Sequence, residues 1–258
     1  ITGDNMFVEE RQALIYEELQ SNGRVRVKDL SKKFNVSEDL IRKDLNVLEK
    51  EGKLRKIYGG AVLAKENVQR KLASQRKNIN LDAKKNIAKK AINIIEPGDI
   101  IFLDISTSSI EMAKLLINEQ KPMTVITNML EVINILVSSN INVIFIGGEL
   151  DYGHDGFVGS LTNQMIDGFR FDKAFLGVVG VDINDNSVMT YMPADAQTKK
   201  LVLSHSKETY MLCESEKFNQ IGNYQYAKID DFYGLICDKD LSLGLHKELK
   251  QYDIKVIE

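Results

Sequence analysis

Apolar positions recur along this chain with two different periods, and the change from one to the other divides it. From Phe7 to Gln20, Val8, Ala13, Leu14, Ile15 and Leu19 fall in a helical pattern, which Gly23 ends. Leu30 and Phe34 continue at helical spacing, and Asn35-Val36 makes a short turn. Ser37 followed by Glu38 and Asp39 then predicts an N-cap with acids in the first turn of the next helix. There Leu40, Ile41, Leu45 and Leu48 are expected to form one buried stripe, leaving Asp39, Arg42, Lys43 and Asn46 on other faces. Glu51-Gly52 stops that helix, and Lys53 to Val62 reads as short strands around Gly59-Gly60.

The stretch between Leu63 and Leu81 is polar and basic, as an interdomain linker is. From Asp82 onward helical runs alternate with continuous apolar runs of strand length, the pattern of a parallel α/β sheet. Strands are expected at Ile100–Leu103, Met123–Ile126, Ile141–Ile146, Lys173–Val179, Thr209–Leu212, Tyr233–Ile236 and Ile254–Ile257. Helices are expected at Asp82–Ile95, Ser108–Asn118, Met129–Val137, Ala194–His205 and Leu243–Gln251. The domains expected are therefore residues 6–62, a linker over 63–81, and 82–258. Residues 1–5 read as a remnant ahead of a native Met6.

Charge sharpens this division. The net charge is −3, yet residues 1–90 carry 21 lysines and arginines against 13 acids, and residues 91–258 carry 13 against 24. A basic N-terminal part on an acidic body is what is expected when only one domain meets a polyanion. The chain is 43% hydrophobic, enough for real cores, but no apolar run approaches the length of a membrane span, and no signal peptide precedes Met6. Cys213 and Cys237 both sit in apolar runs, so buried free thiols in a reducing cytoplasm are expected rather than a disulfide. His154, His205 and His246 carry no metal-ligand spacing, and neither a metal nor another cofactor is expected.

Helix, turn, second helix and basic hairpin, in that order, predict a winged helix-turn-helix. The candidate DNA contacts are Ser37, Glu38, Asp39, Arg42, Lys43, Asn46, Arg55, Lys56 and Tyr58, with the helix directed at a major groove and Arg55 and Lys56 at phosphates. The words V-S-x-x-x-I-R-K-D-L from Val36 and L-R-K-I-Y-G-G-A from Leu54 resemble the DNA-binding segment of the DeoR family of bacterial regulators. Leu40 stands where that family commonly has Thr, and Tyr58 where it has His, so the resemblance leaves the operator sequence open.

In open α/β sheets ligands sit beyond the carboxyl ends of the strands. Here those ends are Asp104 to Ser109, Thr127-Asn128, Gly147 to Glu149 and Gly177 to Asp182. Hydroxyls and free amides where the helix at Ser108 begins suit a phosphate, although Ser and Thr also serve simply as helix caps. The words D-x-S-T-S at Asp104, T-N at Thr127, G-G at Gly147, D-x-A-F-L-G at Asp172, G-V-D at Gly180 and S-E-K-F at Ser215 resemble the sensor domain of the same family. That resemblance implies a Rossmann-like α/β fold related to sugar-phosphate isomerases, and a phosphorylated sugar or polyol as effector. It also implies a pocket lined by Asp104, Thr107, Ser108, Thr127, Asn128, Gly147, Gly148, Asp182, Lys199 and Lys217. Ser106, Asp195 and Glu214 depart from the family's usual Gly, Glu and Asp, which leaves the sugar open.

The function implied is a transcription regulator of a carbohydrate operon, a repressor by family habit. Its partners would be operator DNA, the effector and further copies of the chain, with no membrane. The alternative is an isomerase-like enzyme with an accessory DNA-binding module, in which Asp104 or Glu214 would work with Lys217.

Overall fold

The computed structural model describes residues 7–22, 24–51, 53–63, 66–67, 73–151, 153 and 155–257. They form two compact units. One runs up to Glu66 and includes Leu241–Gln251; the other is Asn67–Asp240 together with Tyr252 onward. Residues 1–6, Gly23, Gly52, Tyr152, His154, Glu258 and part of the expected linker, 64–65 and 68–72, lie outside the described residues.

In the first unit, helices Val8–Asn22, Val27–Phe34 and Glu38–Lys50 precede a hairpin of Leu54–Ile57 and Gly60–Leu63. Asn35 takes the left-handed conformation between the second and third helices (φ 53°), which Asn tolerates because its side chain bonds locally. Ser37 caps the third helix by accepting from the Leu40 amide at 3.2 Å. The hairpin turns at Tyr58-Gly59, where Gly59 sits at φ +76°. Its second strand also pairs antiparallel with Arg24–Arg26. Gly60 is required there, because a Cβ would run into the Val25 carbonyl.

The core of this unit gathers Ile15, Leu19, Val25, Leu30, Phe34, Ile41, Leu45, Leu48 and Leu54. Two sequence expectations change. Leu40 is only half-buried, and on the first helix Val8, Ala13 and Leu14 face water. Their places in the interior go to a buried ion pair, Arg11 with Asp44, in which Arg11 Nε donates to Asp44 Oδ2 at 2.6 Å. Gln12 adds a bond to Asp44 Oδ1 at 3.0 Å. Asp44 lies on the apolar stripe of the third helix, and this pair ties that helix to the first.

The second unit is built on a seven-stranded parallel sheet. Its strand order is Lys255–Ile257, Gly234–Cys237, Ser206–Cys213, Phe171–Gly177, Ile100–Leu103, Thr124–Thr127, Asn142–Phe145. The expected strands are all present, with ends shifted by a few residues. A second, antiparallel sheet of Gly180–Asp182, Ser187–Thr190 and Tyr224–Ala227, and the helix Ser160–Asp167, are additions that the hydropathy pattern does not announce. Cys213 and Cys237 are buried free thiols in register on neighbouring strands. Among the described residues, no helix is long and apolar enough to cross a membrane.

The helix after the first strand of the sheet is Thr107–Leu116, and its cap is Ser106, not a residue near Ser108. Ser106 Oγ accepts from the Ser109 amide at 3.1 Å. Hence Thr107 and Ser108 occupy the first helical turn, with their backbone N–H groups among those that no helix can satisfy internally.

Candidate functional site

On the first unit the third helix carries its charges outward. Arg42 donates to Glu38 and Asp39 at 2.7 Å each, and all three side chains are substantially exposed. Lys43, Asn46, Arg55 and Lys56 are also exposed, and Tyr58 is fully so. Lys56, on the hairpin, reaches the third helix: its Nζ donates to Asn46 Oδ1, and its backbone N–H donates to Glu49 Oε1 at 2.8 Å. Helix and hairpin are thereby tied into one basic-edged surface, and Ser37 serves it as the helix cap.

On the second unit a cavity of about 330 Å³ opens at the carboxyl ends of the central strands. Of the expected effector residues, Thr107, Ser108, Lys199 and Lys217 line it. Thr107 and Ser108 are each 5% exposed, and their hydroxyls have no protein partner among the described residues. Lys217 stands on the 3₁₀ turn Ser215–Asn219, donates to Gln220 Oε1 at 3.0 Å, and lies 3.8 Å from Glu216 rather than pairing with Glu214.

Asp104 lies beneath the cavity. Its Oδ1 accepts from Ser109 Oγ at 2.9 Å, and its Oδ2 accepts from the Gly177 amide at 2.8 Å and from Lys199 Nζ. Lys199 is 4% exposed and also faces Asp195 at 3.9 Å. Burial alone would depress the Lys199 ammonium, but Asp104 and Asp195 outweigh it and hold its pKa above the ordinary lysine value. Burial raises the Asp195 pKa, against the opposing pull of Lys199 and of the hydrogen bond from Thr190. Lys199, which lines the cavity, and Asp104, which does not, therefore form a buried ion pair at its floor. A carboxylate so fully engaged is poorly placed to abstract a proton.

The remaining expected site residues are placed elsewhere. Thr127 is fully buried, donating to the Leu103 carbonyl and accepting from the Met129 amide. Asn128 donates to the Phe157 carbonyl, while its Oδ1 is buried without a partner among the described residues. The Gly147 carbonyl accepts from Thr162 Oγ1, and at Gly148 a Cβ would strike that same hydroxyl. Asp182 accepts from the amides of Asn184 and Asp185 and so shapes a turn. None of these lines the cavity. Ser106 packs against Gly177, where a Cβ would meet its own, so the side chain that departs from the family pattern fills space beside Asp104.

Sequence reasoning misses two cavity cations. Arg76 belongs to the short helix Ala73–Arg76, inside the stretch expected as linker. Lys84 is 2% exposed, and its ammonium donates to the carbonyls of Arg76 and Ile79. Burial lowers its pKa, with Glu214 acting in the opposite direction. The signal for Lys84 was available, since it falls on the stripe of Ile87, Ala88 and Ala91 and so marks a cation turned inward. Nothing local distinguishes Arg76 from a linker residue.

Two family models match this chain: a DeoR-like helix-turn-helix domain over residues 11–67, and a DeoR C terminal sensor domain over residues 79–239. The uncharacterised HTH-type transcriptional regulator YulB of Bacillus subtilis is 34% identical over 97% of this chain and 96% of its own length. A lactose phosphotransferase system repressor of Staphylococcus epidermidis is 33% identical over 86% of this chain and 88% of its own. The L-fucose operon activator of Haemophilus influenzae is 30% identical over 96% of this chain and 98% of its own.

Proposed function

The chain belongs to the DeoR family of helix-turn-helix regulators, and from that premise we propose that it is a transcription regulator of a carbohydrate operon whose effector is a phosphorylated sugar or polyol. In this reading the helix Glu38–Lys50 enters a major groove and the hairpin meets phosphates. Chains assemble at least as dimers on the operator, and the effect on transcription is repression, as for the lactose relative.

The observation that carries the effector reading is the mouth of the helix Thr107–Leu116. The hydroxyls of Thr107 and Ser108, residues only 5% exposed, stand there beside the free amides of the first helical turn, in a cavity that also holds Arg76, Lys84 and Lys217. A helix N-terminus with hydroxyl donors and lysine counter-charge is a site for a phosphate dianion. Six carboxylates line the same cavity, among them Glu214 and Asp195, and would offer acceptors for sugar hydroxyls.

A ligand changes DNA affinity only by binding one arrangement of the protein more tightly than another. The test is titration of operator DNA by mobility shift with and without each member of a panel of sugar and polyol phosphates, the unphosphorylated sugars serving as controls. One phosphate ester should release DNA where its parent sugar does not. Equal effects of both would remove the phosphate from the reading, and turnover of a pentose phosphate by the purified chain would restore the enzyme alternative.

A further inference from the structure

The recognition helix begins with two acids where many DNA-binding helices present amides to a phosphate. Glu38 and Asp39 occupy its first turn, where a carboxylate is favoured by the helix dipole. Together they neutralise Arg42 and Lys43 on the same surface, so this end of the helix carries no excess positive charge for the DNA backbone. That charge sits instead on Arg55 and Lys56 of the hairpin.

The geometry of Arg42 is more specific than its charge. One terminal nitrogen donates to Asp39 at 2.7 Å and the other donates to Glu38 at 2.7 Å, three and four residues back. The guanidinium is thus held by both branches of its fork, and its remaining N–H groups project from a side chain that is 55% exposed. A free arginine loses several rotatable bonds when it meets a base; one already clamped loses fewer. The acceptor pair that matches the free edge of such a fork is O6 and N7 of guanine, and a carboxylate in the major groove is matched by the N4 amine of cytosine.

We propose that Arg42 reads a guanine in each operator half-site as an arginine buttressed by Glu38 and Asp39, and that the same two carboxylates face the amine of a cytosine at an adjoining pair while repelling phosphate. This rests on the reading of the helix Glu38–Lys50 as the DNA-reading element, and it adds the base class read and a division of labour. The acids lower affinity for DNA in general and raise discrimination.

The experiment is selection of bound duplexes from a pool randomised over the site, using the full-length chain. Mobility-shift titrations then follow on the selected duplex, on its guanine-to-adenine variant and on an unrelated duplex. The parent should select a fixed G·C pair and lose roughly tenfold or more in affinity on the guanine-to-adenine change. Arg42→Lys, which keeps the charge and the helix, should lose that preference, so that its affinities for the selected duplex and for the guanine-to-adenine variant become nearly equal. The double variant Glu38→Gln, Asp39→Asn should bind the unrelated duplex more tightly than the parent and discriminate less. Selected sites lacking an Arg42-dependent guanine would overturn the proposal, as would unchanged discrimination or weaker general binding in the double variant. Failure to select any sequence would instead overturn the DNA-reading assignment of the helix, and the proposal with it.

Discussion

On the helix Glu38–Lys50 the charged groups stand in water, with Arg42 55% exposed between Glu38 and Asp39; at the floor of the cavity Lys199 and Asp104 are 4% and 3% exposed. Ions that keep their hydration can change partners at little cost, so the first group is suited to meeting DNA and releasing it. Ions already stripped of water cannot. Once Lys199 and Asp104 have been desolvated together, drawing either toward a ligand leaves the other uncompensated. A diffusible anion is therefore better met by Lys217 and the hydroxyls of Thr107 and Ser108 than by Lys199, even though all four line the cavity.

Breaking the buried pairs should give the largest effects. Asp104→Ala should destabilise the fold by about 3–5 kcal/mol, measured by urea unfolding followed by circular dichroism, because Lys199 keeps only Asp195 at 3.9 Å. Asp44→Ala places the same test in the DNA-binding unit. Its loss should fall at the lower end of that range, since Arg11 lies near the start of its helix, where the long side chain can reach water. Equal and small losses in both would mean that burial does not separate the two classes of ion.

A smaller effect is expected at the cavity mouth. Thr107→Val should weaken the effector by about 1–3 kcal/mol in calorimetry, and Lys217→Ala should do likewise, with operator affinity in the absence of effector unchanged. A fall in that basal affinity would mark these side chains as structural and collapse the distinction between rim and floor. Smaller again is the effect of Lys56→Ala, which should weaken binding to every duplex and reduce the slope of log affinity against log salt by about one. The smallest concerns Tyr226, whose hydroxyl is buried without a partner among the described residues and whose ring lies 5.9 Å from Lys199 Nζ. Tyr226→Phe should leave stability unchanged or raise it by up to about 1 kcal/mol in the same urea experiment.

The legible parts of the molecule were those in which local chemistry and burial agree. Ser37 followed by two acids, the helical spacing from Ile41 to Leu48, and the apolar runs of the sheet each depend on neighbours within a few residues, and each appears where the pattern puts it. The site was read less completely. Thr127, Asn128, Gly147, Gly148 and Asp182 carry polar or permissive chemistry at strand ends, but their bonds go to the Leu103 and Phe157 carbonyls, Thr162 and a local turn. Those partners are distant or irregular in sequence, so a strand-end position could not tell a ligand group from a structural one. Lys84 and Asp44 show the converse, because each interrupts an apolar stripe and its inward role could have been read from that alone.

The order of the strands also governs how the chain reaches this state. Ile100–Leu103 pairs on one side with Thr124–Thr127 and on the other with Phe171–Gly177. During synthesis the first partner leaves the ribosome promptly, while the second follows only after Asn142–Phe145 and the helix Ser160–Asp167 have been made. In that interval a half-sheet of three parallel strands presents a fully apolar, unpaired edge, the kind of edge on which a neighbouring nascent chain can add a strand. Apart from residues 241–251, which are made late, the pairings of the helix-turn-helix unit close over short distances and can form long before. Crowded polysomes thus threaten the sensor rather than the DNA reader, and aggregates recovered from overproduction should contain a formed N-terminal unit joined to an unfinished sheet.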